Sequence, residues 1–133
     1  LVRFATLRYN ITCMPTLATY KEEFYRRQEK LFAERERLRL DTLAALVPKL
    51  QEIAQRHVIS VRRFVVFGSL ISPGRFTPDS DIDVAVEWKQ KGDYFDLWRE
   101  IEQELGREVD FRELGTDSVS ERVREHGVVV YES

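Results

Sequence analysis

From Leu43 onward apolar residues recur every three or four positions, so Leu43, Leu46, Val47, Leu50, Ile53 and Ala54 lie on one face of a helix. Upstream the pattern is sparser. Phe24, Leu31 and Leu38 return every seven residues with Tyr25 and Phe32 beside them, in a segment dense in Glu, Arg, Lys and Leu. That composition, with no Gly or Pro, predicts a long helix over about 20–47. Glu22/Arg26 and Glu23/Arg27 sit four apart in the favourable order. So narrow a stripe predicts contact with another helix, in a second copy of the chain or in a helical partner. The competing expectation is a solvated strut folded against its own domain. On the first expectation the segment before Asp41 projects from the domain that follows, and its removal weakens association. Pro48 lacks an N–H and crowds the preceding turn, which predicts a kink or a restart there.

After His57 the period changes. Arg63–Phe67 and Ile82–Trp88 read as strands, and Tyr94–Leu105 reads as an amphipathic helix closed by Gly106. Val109–Arg112 is a third short strand, Ser118–His126 a helix ended by Gly127, and Val128–Tyr131 a last strand. This order predicts an α/β (α+β) fold, a mixed sheet flanked by helices and preceded by the long helix. No repeat or low-complexity linker interrupts it, so residues 20–133 are expected to form one domain, with 1–19 as an N-terminal extension. Residues 1–13 lack the charged start, apolar core and cleavage site of a signal peptide.

The whole-chain chemistry narrows the classes. A length of 133 residues can bury a core of its own, and 43% hydrophobic residues exclude a disordered chain. The formal net charge of −2 lacks the basic excess that binding a nucleic-acid backbone calls for. No apolar run reaches the length of a membrane-spanning helix. The single cysteine, Cys13, has no internal disulfide partner, so a reducing cytoplasm is expected. Two histidines and one cysteine are too few for a zinc site of the usual kind.

Candidate chemistry concentrates in three short segments. In the strand at Ile82, side chains alternate, so Ile82, Val84 and Val86 share one face while Asp81, Asp83 and Ala85 share the other. The β-branched trio marks the buried face, which places the two aspartates together on an open one, about 6–7 Å apart. Val109-Asp110-Phe111 repeats the pattern, so Asp110 joins the pair if the two strands are neighbours. Three carboxylates on one face form a hard-oxygen site suited to one or two Mg²⁺ ions. Gly68-Ser69 ends an apolar strand, and a turn there presents backbone N–H groups and a hydroxyl to phosphate oxygens. Trp88, Trp98, Tyr94 and Phe95 are expected to pack, and His57 and His126 lie near helix ends, where a cation meets the dipole.

Phe67-Gly68-Ser69, Asp79-Ser80-Asp81-Ile82-Asp83-Val84 and Val109-Asp110-Phe111 together resemble the minimal nucleotidyltransferases of the polymerase-β-like superfamily. The resemblance covers about residues 43–132. It implies the nucleotidyltransferase fold, with Gly68 and Ser69 on the nucleotide phosphates and Asp81, Asp83 and Asp110 as catalytic, metal-holding acids. Many such proteins are antitoxins that silence a HEPN ribonuclease toxin by transferring AMP from ATP to a toxin tyrosine. The resemblance therefore implies ATP as substrate, Mg²⁺ as cofactor and a HEPN toxin as partner. Two departures stand out. Eleven residues separate Ser69 from Asp81 where ten are usual, and Leu70 stands where family members often carry arginine. Arg75 is the nearest replacement for that charge. Two other functions compete: an antitoxin that blocks its toxin sterically with a degraded site, and a nucleotidyltransferase acting on a small molecule such as an aminoglycoside.

Overall fold

A computed structural model describes residues 16–133. The expected extension over 1–19, and Cys13 within it, therefore lie mostly outside the described residues. The chain divides at Ala33/Glu34 into two compact units. Helix α1 (Leu17–Arg56) contributes to both. It starts three residues before the expected Tyr20 because Thr16 caps it, its hydroxyl accepting the Thr19 N–H at 3.2 Å. In the first unit the apolar side chains are exposed, Phe24 at 57%, Tyr25 at 62% and Phe32 at 51% among them.

The restart expected as one outcome at Pro48 does not occur: α1 runs unbroken to Arg56 with Pro48 inside it. Pro48 is exposed, so the carbonyl it leaves without a helical partner can be met by water. Leu46, Leu50, Ile53 and Ala54 are buried on the opposite side, and their packing outweighs the lost hydrogen bond.

In the second unit, strands β1 (Val61–Phe67), β2 (Ile82–Trp88), β3 (Val109–Glu113) and β4 (Val128–Glu132) form one mixed sheet in the order β3-β2-β1-β4. β1 is antiparallel to both β2 and β4, while β2 and β3 run parallel, joined across α2 (Tyr94–Leu105). Asp93 caps α2, accepting the Asp96 N–H, and Gly106 closes it in the left-handed conformation. Helix α3 (Ser118–His126) precedes β4. β1 begins two residues earlier than expected, with a register shift between Val61 and Arg63 that lets Val61 reach the core.

One core fills the face beneath α1 and α2, where Phe64, Val66, Val84, Val86 and Phe111 meet Leu50, Ile53, Leu97 and Ile101. The other face carries a second, smaller cluster of Val65, Ala85 and Val123. The aspartate-bearing face is therefore half covered rather than open throughout. The small Ala85 side chain lets Val123 of α3 pack there, which confines the open surface to the sheet end bearing Asp81, Asp83 and Asp110. Side chains of α2 also occupy the outer edge of β3. Trp98 Nε1 donates to the Val109 carbonyl at 2.8 Å, Glu102 accepts the Val109 N–H at 3.0 Å, and the Tyr94 hydroxyl donates to the Phe111 carbonyl. An edge satisfied this way resists pairing with a foreign strand. Among the described residues, no helix is long and apolar enough to cross a membrane.

Candidate active site

Register decides the site. Asp83 pairs with Asp110 across the parallel β2/β3 ladder and with Phe67 across the antiparallel β1/β2 ladder. Asp81 immediately precedes β2 and follows the same alternation as Asp83. The structure thus brings the three predicted acids to one face, with the end of β1 alongside. Asp83 is half-buried, whereas Asp81 and Asp110 are exposed. Burial is the first cause that raises the Asp83 carboxyl from 3.8 to about 6, followed by the charge of Asp110, a hydrogen bond with it, and the charge of Asp81. Arg112 works in the opposite direction.

Gly68 opens a single 3₁₀ turn (Gly68–Ile71) directly after β1. Its φ of +76° suits glycine, and a Cβ there would run into the Asp83 carboxylate, with Cγ only 3.0 Å away. The glycine is therefore needed for close contact with the acid. Ser69 follows, half-buried, and its carbonyl accepts the Ser72 N–H at 3.0 Å. Arg75 lies exposed on the connection, its backbone N–H bonded to the Ser72 carbonyl at 3.1 Å. Among the described residues, no ion pair ties its side chain to the acids.

The long connection from Ser69 to Asp81 is anchored rather than slack. Leu70 and Phe76 are fully buried, and Thr77 N–H bonds the Ser80 hydroxyl at 2.9 Å. Arg107 donates to the Ser80 carbonyl at 2.7 Å while its guanidinium lies 5.9 Å from the centre of the Phe76 ring. On the helix side, Glu36 and Arg39 bond backbone groups of Gly74 and Leu70. Glu36 and Arg39, which lie before Asp41 in the segment expected to project from the core, thus touch the domain.

Sequence reasoning missed four contributors. Ser72 donates its hydroxyl to the Gly68 carbonyl at 2.9 Å, and Glu36 and Arg39 act as just described. Arg112 shares the face of Asp110 by alternation and pairs with Ala85. That alternation was available in the sequence, since Asp110 and Arg112 are two apart on one strand. Glu36 and Arg39 carried no local signal within a helix full of charges. Beside Asp110, a depression of about 360 Å³ is lined by Tyr94, Phe111, Arg112 and Glu113.

Residues 48–133 match the family model described as polymerase beta, nucleotidyltransferase. The chain belongs to the polymerase-beta nucleotidyltransferase family. Every candidate acid and the Gly-Ser turn fall within the matched residues. Two solved structures are similar in fold. One is a crystal structure of a toxin–antitoxin with AMP-PNP, 22% identical, covering 65% of this chain and 73% of that one with a TM-score of 0.56. The other is a mutant of the toxin–antitoxin MntA–HpeT, 18% identical, with the same coverage and a TM-score of 0.54. No curated protein matches the chain.

Whether these nucleotidyltransferase residues fit a metal is decided by their donors. Among the described residues, no three His, Cys, Asp or Glu side chains stand preassembled as a metal cage. The trio nevertheless supplies hard oxygen donors, and the raised Asp83 carboxyl marks a place where negative charge is held at a cost. A divalent cation removes that cost, so the residues present fit Mg²⁺.

Proposed function

We propose that this nucleotidyltransferase is an antitoxin that transfers AMP from ATP to a tyrosine hydroxyl of a HEPN-type ribonuclease toxin in the cytoplasm. The observation that carries the reading is the Asp83–Asp110 register, with Asp81 on the same face and Gly68 seated against Asp83. The toxin partner is supported by the likeness to two toxin–antitoxin structures, and ATP by the AMP-PNP in one of them.

Asp81, Asp83 and Asp110 would hold Mg²⁺, which when bound supplies positive charge against the triphosphate and the developing charge at phosphorus. The chain's own groups do the rest. The Gly68-Ser69 turn offers backbone N–H groups and a hydroxyl to phosphate oxygens, fixing the direction in which pyrophosphate leaves. The depression beside Asp110 seats the acceptor side chain. Asp110 takes the phenolic proton as the tyrosine oxygen bonds to the α-phosphorus and the bond to the β-phosphate oxygen breaks. A phenol, with a pKa near 10, gives up that proton more readily than an aliphatic alcohol. Arg112, beside Asp110 on the same face, faces the charge that builds on the phosphoryl oxygens.

A second reading, steric blocking of the toxin by a site without activity, rests on the eleven-residue connection between Ser69 and Asp81. Incubating the protein and its toxin with labelled ATP and Mg²⁺ separates the two. Transfer of label by the wild type, and none by Asp81→Ala/Asp83→Ala with an unchanged circular-dichroism spectrum, supports the enzyme. Label transferred by the double variant removes these acids from the chemistry.

A further inference from the structure

An ion pair on α1 fastens the strap between Gly68 and Arg75. Arg39 Nε donates to Glu36 Oε1 at 2.9 Å and Arg39 Nη2 to Glu36 Oε2 at 2.8 Å. Each partner also reaches one backbone group of the strap. Glu36 Oε1 accepts the Gly74 N–H at 2.6 Å, and Arg39 Nη1 donates to the Leu70 carbonyl at 3.3 Å. Arg35 adds a longer contact to the Gly74 carbonyl at 3.5 Å. An ordinary surface pair three residues apart on a helix is exposed and needs no third partner. These side chains are only 12% and 19% exposed, and shielding a pair is costly unless further hydrogen bonds use its remaining donors and acceptors. The strap supplies them.

At its inner end the strap is Gly68-Ser69. Ser72 ties back to it twice, hydroxyl to the Gly68 carbonyl and N–H to the Ser69 carbonyl, and Arg75 N–H bonds Ser72 in turn. Holding Leu70 and Gly74 therefore holds the backbone from Gly68 onward, and Gly68 lies against Asp83. The geometry points to Glu36 and Arg39 as positioning residues that keep the Gly68-Ser69 turn in register with Asp81 and Asp83 and so set the affinity for a nucleoside triphosphate. This rests on the nucleotidyltransferase reading given above. Neither side chain touches phosphate; they hold the turn that does. Polarity matters as much as charge, because position 36 must offer an acceptor to an N–H and position 39 a donor to a carbonyl. A swapped pair keeps its mutual attraction but presents the wrong group to each end of the strap.

The experiment uses the full chain as wild type, Glu36→Ala/Arg39→Ala, and the swap Glu36→Arg/Arg39→Glu. Titration calorimetry with ATP and Mg²⁺ is paired with amide hydrogen exchange over residues 66–76 and, as a control, over β2. Both variants are expected to lose roughly tenfold or more in ATP affinity, the usual scale for removing a group that orients a binding residue. Exchange should quicken in the strap and stay unchanged in β2. Wild-type affinity in the swapped variant would overturn the proposal, since the pair would then only stabilise the helix. Unchanged affinity in the doubly neutral variant would overturn it while leaving the active site in place. A wild type that binds no ATP overturns the reading of the site itself and the positioning role with it. If either double variant fails to fold, Arg39→Lys replaces it. Lysine keeps the charge but cannot span Glu36 and Leu70 together, so weakened ATP binding is expected and wild-type affinity again overturns the proposal.

Discussion

At the scale of single residues, Asp83 and Gly68 carry the tightest constraints. Asp83 binds its proton more firmly in the folded chain, about 6 against 3.8. Its contribution to stability is therefore complete below 3.8 and is lost as pH rises through about 6. Metal-free protein should lose stability across that window. Asp83→Asn removes the effect and should stabilise the metal-free protein at pH 7 by on the order of 1 kcal/mol, discounted because the carboxyl is only half-buried. Urea unfolding at pH 3.5 and pH 7 checks this, with the two proteins converging at the lower pH. Added Mg²⁺ should raise the stability of the wild type at pH 7 and leave Asp83→Asn unmoved. Gly68→Ala combines a positive φ with a collision against Asp83, so it should cost about 1–3 kcal/mol in the same assay and abolish nucleotide transfer. The aspartate trio was legible in the sequence because strand alternation has a fixed period of two. What the sequence could not give was which residue the glycine faces, since that depends on how β1 registers against β2.

At the scale of elements, most boundaries followed from local chemistry. Gly106 and Gly127 ended their helices where expected, and β2, α2 and α3 have the predicted limits. Pro48 shows where local reasoning stops. Its intrinsic cost was overridden by burial of Leu46, Leu50, Ile53 and Ala54, which is a property of the packed sheet rather than of the helix. Pro48→Ala should accordingly stabilise the protein by about 1–2 kcal/mol, less than the ~3 kcal/mol propensity difference because proline also restricts the unfolded chain. A higher urea midpoint with unchanged slope checks it. The long-range partners of α1 were likewise illegible: Glu36 and Arg39 meet a strap more than thirty residues away, and nothing in their neighbourhood distinguishes them from the other charges of that helix.

At the scale of the whole molecule, the charged start of α1 and the sheet that carries the acids hold separate expectations. The exposed Phe24, Tyr25 and Phe32 predict that the first unit serves association. A truncation to test this belongs before Glu34, at the boundary between the units, because a cut at Asp41 would also remove the clamp on the strap. Residues 34–133 should keep ATP binding and lose association, read by calorimetry and light scattering. Family and fold were legible because Gly-Ser, Asp-x-Asp and a third strand acid are local signatures; the proposed acceptor was not, because a surface in another protein leaves no local signature in this chain. AMP transfer to the toxin is tested most directly by intact-mass spectrometry of the toxin co-expressed with this protein. Toxin heavier by one or more AMP units is expected with the wild type, and unmodified toxin with Asp81→Ala/Asp83→Ala. Toxin bound tightly to the wild type yet carrying no added mass would contradict it.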